Sequence, residues 1–284
     1  PDAGKMREAI AAMADELNAE CMTGAKDPGI GYSLVHDPES AGGTWDAYRE
    51  VLADGDLTLR VCVLWRSPET VNEAHERAKR IAPVSRPMES TGDDRLISGG
   101  VKIFADGSGG ARTAWTWQDW NRERSGLDEG NRGYPAIDAT VLRDLITLYH
   151  DAGLHVGVHA IGDRAIDWTV AALTVALIRN PRHGMRHSII HANIPTDLAM
   201  NTMAALQQNY DAGYTEPQAT FNWWIGVTFA GNFGEERRRW LNPFRSFMAR
   251  VIQWGGGSEF SVTPFTERYG IWASMVRQPL LCVY

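Results

Sequence analysis

Strand-like and helix-like runs take turns along nearly the whole chain, and that alternation constrains the fold most. Residues 6–17 carry apolar side chains at helical spacing, and 22–30 read as a short strand ending in the turn signal Asp-Pro-Gly. Residues 45–53 predict a helix, 57–65 (LTLRVCVLW) a strand, 68–81 a helix and 99–107 (GGVKIFADG) a strand. Further on, helices at 139–152, 163–178 and 195–207 separate strands at 154–160, 185–193 and somewhere within 208–221. Residues 251–259 read as a last strand. Such alternation builds right-handed βαβ units on a parallel sheet. About seven strands suit a (β/α)8 TIM barrel that is incomplete by one. A doubly wound open sheet is the alternative, but no G-x-G-x-x-G follows the first strand.

The 284 residues suit one such barrel, read as a single partial domain over 1–284. At 44% hydrophobic and 22% charged, the chain can bury a large core. A net charge of -7, with no Lys/Arg run that would offset it, argues against a nucleic-acid partner. No apolar stretch is long enough for a bilayer, so no membrane association is expected. The cysteines, Cys21, Cys62 and Cys282, are three and far apart, which is no disulfide framework. Idle thiols fit a reducing, cytoplasmic setting.

In a barrel, chemistry sits at the C-terminal strand ends. Those ends carry Asp27, Lys102 with Asp106, His159, His191 and Glu259. Alternation puts His155, Gly157 and His159 on one face, and His187, Ile189 and His191 on one face. The outer pair, His159 and His191, can meet at the mouth. The inner pair lies about 13 Å below at ~3.3 Å per residue and reads as structural. Two imidazoles with an acid form the usual core of a catalytic metal site, and these ligands suit zinc, iron or manganese. Lys102, flanked by apolar residues, could lose its charge and add carbon dioxide as a carbamate, or could pair with Asp106 or Asp27. The irregular stretch 108–135 is too long for an ordinary connection and is expected at the barrel mouth. It carries Arg112, a candidate for a carbonyl or anionic group, and Trp115, a candidate for an apolar substituent. Trp117, Trp120, Trp223 and Trp224 add aromatic character, and packing is the competing reading for these aromatics. Asp163 and Arg164 are expected to fix the turn after the 154–160 strand through a salt bridge.

The motifs GGVKIFADGSGGART, VHAIGDRAID, RHSIIHAN and PFRSFMARVIQWGGGSEFSV resemble, in this order, the metal-dependent amidohydrolase superfamily. They are most similar to its amidohydrolase family 3 branch, the YtcJ-like group that includes N-substituted formamide deformylase. The resemblance runs from about residue 6 to about residue 278. It implies that Lys102 is the carboxylated, metal-bridging lysine of the fourth barrel strand. His159 and His191 would be the metal ligands of the fifth and sixth strands. Glu259 would be both metal ligand and general base on the eighth. The cofactor implied is a divalent metal, one or two ions, zinc first and iron or manganese as alternatives.

Three departures stand out. The eighth-strand acid is normally Asp, and Glu259 is longer by about 1.5 Å, a displacement that can cost about 100-fold in rate. Ile190 stands where family members commonly carry Glu. No two of the eight histidines are separated by one residue, so the first-strand His-x-His is absent. The chain is therefore expected to be an internal section lacking that strand and the small β-sandwich. The function implied is metal-dependent hydrolysis of C–N bonds in non-peptide amides, of N-substituted amide or formamide type, by metal-activated water on a small-molecule substrate. The alternative is a catalytically silent barrel segment, a scaffold or one part of a split assembly. A homo-oligomer, or a companion chain supplying the missing strand, would cover the exposed edge.

Overall fold

In the computed structural model, which describes residues 3–31, 38–85, 94–120 and 130–279, six strands form one sheet. They are β1 (Gly24–Ile30), β2 (Arg60–Arg66), β3 (Leu96–Phe104), β4 (His155–Ala160), β5 (Ser188–His191) and β6 (Tyr214–Glu216). Spatial order equals chain order, and every neighbouring pair is parallel. Helices α1 (Ala3–Ala19), α2 (Pro38–Asp54), α3 (Val71–Ile81), α4 (Ala139–Asp151), α5 (Asp163–Arg179) and α6 (Asp197–Tyr210) alternate with these strands. Four more follow β6: α7 (Ala219–Trp224), α8 (Gly226–Arg237), α9 (Phe244–Ala249) and α10 (Glu267–Val276). Among the described residues no helix is long and apolar enough to cross a membrane.

The sheet is curled, as a single contact demonstrates. Five inter-strand steps of about 4.8 Å would set β1 and β6 about 24 Å apart in a flat sheet. Yet Lys26 Nζ of β1 lies 2.6 Å from Glu216 Oε1 of β6. Two side chains cannot bridge the flat distance, so both point into a concave interior. Register extends that interior: Lys26 sits opposite Cys62, and Lys102 opposite Gly157, which faces Ser188. A Cβ on Gly157 would meet Leu64 Cδ1 at 2.9 Å and Ile190 Cδ1 at 3.0 Å. The arrangement is a partial α/β barrel.

Local chemistry places the helices. Thr70 caps α3 by accepting from Glu73 N, and its hydroxyl donates to Glu73 Oε2 at 2.6 Å. Asp138 caps α4 through Thr140 N, and Thr196 caps α6 through Ala199 N. Leu145 and Ile146 of α4 and Leu173 and Leu177 of α5 are fully buried in one core with Val156 and Val158 of β4.

Two sequence expectations change. Residues 251–259 do not form a strand. Only Trp254 makes a parallel bridge, to Thr215 of β6. The glycines 255–257 and left-handed backbone at Val251 (φ 58°) and Glu259 (φ 66°) prevent an extended ladder. The described sheet thus has six strands where about seven were expected. The long stretch does lack regular structure over 108–120 and 130–135. Its residues 121–129, like Cys282, lie outside the described residues.

Candidate active site

His159 and His191 meet directly. His159 Nδ1 lies 2.9 Å from His191 Nε2, and the rings are edge to face with centroids 4.4 Å apart. Strand alternation alone does not produce this contact. Ser188 and Ile190 occupy the concave face beside Gly157, so strict alternation would turn His191 outward. Left-handed backbone at His191 (φ 77°) and Ala192 (φ 44°) ends the strand there and lets the ring reach His159.

Proton counting defines what this pair can do. His159 Nε2 lies 2.8 Å from the Gly107 carbonyl oxygen, and His191 Nδ1 lies 2.7 Å from Gln218 Oε1. Gln218 Nε2 donates to the Glu216 carbonyl at 2.8 Å, which fixes the amide with its oxygen toward His191. Both outer partners are therefore acceptors, and each imidazole must donate outward. Neutral imidazole carries one N–H. Three contacts share two protons, and the contact left without one is between His159 Nδ1 and His191 Nε2. Burial holds His159 down at about 4, with the nearby Lys102 adding to the effect. Burial likewise holds His191 well below the ordinary value. Two neutral lone pairs facing one another at 2.9 Å repel, and a proton between them or a cation beside them relieves the repulsion.

Lys102 and Glu259 flank the pair. The Lys102 ammonium is 5.0 Å from the Phe104 ring centroid, and that ring is 5.1 Å from His159. Burial lowers Lys102 to about 8, opposed by the charges of Glu259 and Glu216. Lys102 forms no ion pair with Asp106 or Asp27; Asp27 instead accepts from Tyr48 of α2 at 2.9 Å. Glu259 Oε2 lies 3.7 Å from His191 Nδ1. Burial pushes its carboxyl up, against the pull of Lys102. The four sequence-derived residues thus share one mouth. Among the described residues, however, no three His, Cys, Asp or Glu side chains stand close enough together to hold an ion.

The remaining candidates are held by other contacts, and Asp106 Oδ1 lies 3.7 Å from His159 Nε2. Trp115 is 8% exposed, with Arg164 stacked 4.3 Å from its ring centroid and Trp168 beyond it, so packing describes its ring. Arg112 is half-buried in the loop with φ 55°, and its carbonyl accepts from Asn131. Asp163 does fix the turn, but by accepting from Trp117 N and Arg164 N; the Arg164 guanidinium stacks on Trp115 and Trp117 rather than pairing with it. Asp106 is a buried anchor, accepting from Trp115 N, Ile161 N and Gly162 N. The inner histidines are structural: His187 Nε2 meets His150 Nδ1 of α4 at 2.8 Å. Sequence reasoning missed Gln218, Glu216 and Lys26; only their places on or beside strands near Lys102 and His191 could have signalled them.

The chain is similar to known proteins in sequence and in fold. The protein YtcJ of Bacillus subtilis (strain 168), named as an amidohydrolase, is 25% identical over 232 residues, spanning 82% of this chain and 39% of that protein. An uncharacterized metal-dependent hydrolase from Pyrococcus horikoshii OT3 superposes with TM-score 0.76 at 20% identity, over 96% of this chain and 48% of that one. Its Pyrococcus furiosus counterpart gives 0.73 at 20% identity, over 96% and 50%. The chain therefore spans about two fifths to half the length of these relatives. The amidohydrolase family 3 profile, described as the Amidohydrolase family, matches residues 2–280. The chain belongs to the amidohydrolase family.

Proposed function

We propose that this chain carries part of the active centre of a metal-dependent hydrolase acting on C–N bonds of non-peptide amides, of N-substituted amide or formamide type. The single observation behind this reading is the 2.9 Å approach of His159 Nδ1 to His191 Nε2, with the outer nitrogen of each ring facing an acceptor. Each imidazole donates its other nitrogen to a carbonyl oxygen, the outer-shell arrangement common to metal-ligating histidines. These two imidazoles, with Lys102 and Glu259 beside them, would be the donors to a divalent ion: zinc first, iron or manganese as alternatives, one or two in number. Such an ion would lower the pKa of a bound water toward about 7 and polarise the substrate carbonyl.

The chain's own groups do the rest. His159 and His191 would hold the ion. Lys102, lowered to about 8, has a neutral fraction that can take up carbon dioxide and present a carboxylate. Glu259 would take the proton of the attacking water and pass it to the leaving nitrogen. Arg112 and Trp115 remain proposed substrate contacts, Arg112 by charge and Trp115 through the loop it anchors. A hollow of about 320 Å³ is lined by Trp224, Phe260, Val262 and Phe265, and none of the proposed metal-site residues lines it. The eight-staved barrel would be completed by the segment around Trp254 beside β6 and by a stave beside β1, supplied by further chain or by a companion or second copy.

His159→Ala should lower bound zinc by more than tenfold, read by elemental analysis, and abolish turnover of an N-substituted formamide in the full-length enzyme. Unchanged metal content and rate would remove His159 from the ligand set. The absence of any three-ligand cluster among the described residues favours one further reading, a non-catalytic scaffold segment. Near-stoichiometric metal in the purified protein decides against it.

A further inference from the structure

The amide that faces His191 is held from behind. Gln218 is 4% exposed, and its Nε2 is committed to the Glu216 carbonyl. Its own carbonyl accepts from Asn242 Nδ2 at 3.1 Å, and the same nitrogen reaches Asn222 Oδ1 at 3.1 Å. Asn242 Oδ1 accepts from Asn193 Nδ2 at 2.8 Å, and Asn242 N donates to the Asn193 carbonyl at 2.6 Å. Asn193 follows His191 by two residues. A buried carboxamide circuit thus leaves the strand end beside His191, passes through Asn242 and returns to His191 through Gln218. It surrounds three left-handed residues, His191, Ala192 and Asn242. Such conformations are strained and persist where neighbours over-determine them.

We propose that Gln218, locked by this circuit, is a positioning residue that keeps His191 protonated on Nδ1 and directs its Nε2 lone pair at His159. The alternative tautomer would let His191 Nε2 donate to His159 Nδ1, filling the very contact at which an ion is expected. The amide oxygen, which cannot donate, stands against it at 2.7 Å, with the Glu259 carboxylate farther off at 3.7 Å from the same nitrogen. Gln218 thereby chooses between a closed imidazole pair and an open one. The consequence for metal binding rests on the reading of the preceding subsection; the tautomer assignment does not.

The test is nitrogen NMR of 15N-histidine-labelled, metal-free protein at neutral pH, with His191→Gln to assign the signals. The unmodified protein should show His191 as the Nδ1–H tautomer. Gln218→Met removes both ends of the amide and should shift His191 to Nε2–H. Gln218→Glu keeps an acceptor toward His191 and should retain Nδ1–H. Zinc affinity should fall about 10–100-fold in Gln218→Met, the usual cost of losing such a partner. Nδ1–H persisting in Gln218→Met, or Nε2–H in the unmodified protein, would overturn the proposal. Should Gln218→Met fail to fold, the unmodified protein and Gln218→Glu still decide, since Nε2–H in either is fatal. A tautomer shift with unchanged zinc affinity leaves the positioning role and counts against the metal centre. Zinc loss in His159→Ala without a shift in Gln218→Met does the reverse.

Discussion

An imidazole buried away from water answers to pH through the unfolded chain. His155 is 3% exposed at the base of the concave interior, its Nδ1 3.1 Å from the Met185 carbonyl and its Nε2 without a hydrogen-bond partner. Burial lowers its pKa to about 4, Lys26 adds to this, and Glu216 opposes it. His187, whose ring centroid is 6.1 Å away, is also held well below its ordinary value by burial. Between about 6.5 and about 4 the unfolded chain binds the His155 proton and the folded one does not. Stability must therefore fall as pH falls through that window. At pH 5 the shortfall is about 2 kcal/mol, at about 1.4 kcal/mol per unit. Urea unfolding at pH 7 and pH 5 should show the unmodified protein losing roughly that much more than His155→Gln; equal losses would place His155's titration elsewhere. The sequence exposed the residues of the mouth because ionisable groups at the ends of apolar strands are conspicuous: Lys102, His159, His191 and Glu259 all stood out that way. Gln218 did not, since a carboxamide has no charge and no spacing rule. Nor did alternation foresee how His191 turns inward, because the answer lies in one positive φ rather than in a pattern.

Elements were legible where burial and periodicity coincide. The strands β1, β4 and β5 lie within the runs read for them, β2 runs one residue past its run, β3 starts three residues before its own, and α3 to α6 begin within a few residues of their expected starts. The region 251–259 misled because Val, Ile and Trp suggest a strand while three glycines after them leave too little side chain to hold one. What joins the elements was less legible, as the turn between β4 and α5 shows. Gly162 precedes α5 with an ordinary φ of -72°, so no left-handed backbone requires glycine. Space does: a Cβ there would lie 2.0 Å from the Trp115 carbonyl oxygen and 2.5 Å from its carbon. Those atoms are backbone and cannot swing aside, so the turn and the Trp115 loop would have to separate. Separation also strains the Asp106 carboxylate, which accepts from both Gly162 N and Trp115 N. Gly162→Ala should cost at least about 2 kcal/mol, toward the upper part of the overpacking range. Gly29→Ala, with nothing within 4 Å of its Cβ, should stay within about 0.5 kcal/mol. Denaturation midpoints of the two variants test this directly; similar midpoints would mean the loop yields without resistance.

At the scale of the molecule, the open question for a six-stranded parallel sheet is what holds its ends toward one another. Lys26 and Glu216 come from the first and last strands, 190 residues apart, with side chains only 26% and 21% exposed. Burial alone would push the Glu216 carboxyl up, but the bonded, oppositely charged Lys26 more than offsets it, and the group is held below its usual range. The alternation of strands and helices predicted a barrel-like sheet but could not show this clasp, because pairing across such a sequence distance leaves no local trace. Removing one partner strands the other charge in the interior, a change that costs about 3–5 kcal/mol for fully buried pairs. Residual solvent access lowers the expectation for Lys26→Met to about 2–3 kcal/mol. Replacing both, as Lys26→Met with Glu216→Leu, removes the orphaned charge and puts apolar volume in its place, which is often close to neutral. The double variant should therefore recover at least half of what Lys26→Met loses, with a coupling energy above about 1 kcal/mol in the double-mutant cycle. Simple additivity of the two losses would mean that the curl is set by strand twist and helix packing alone, and that the clasp merely occupies an interior shaped without it.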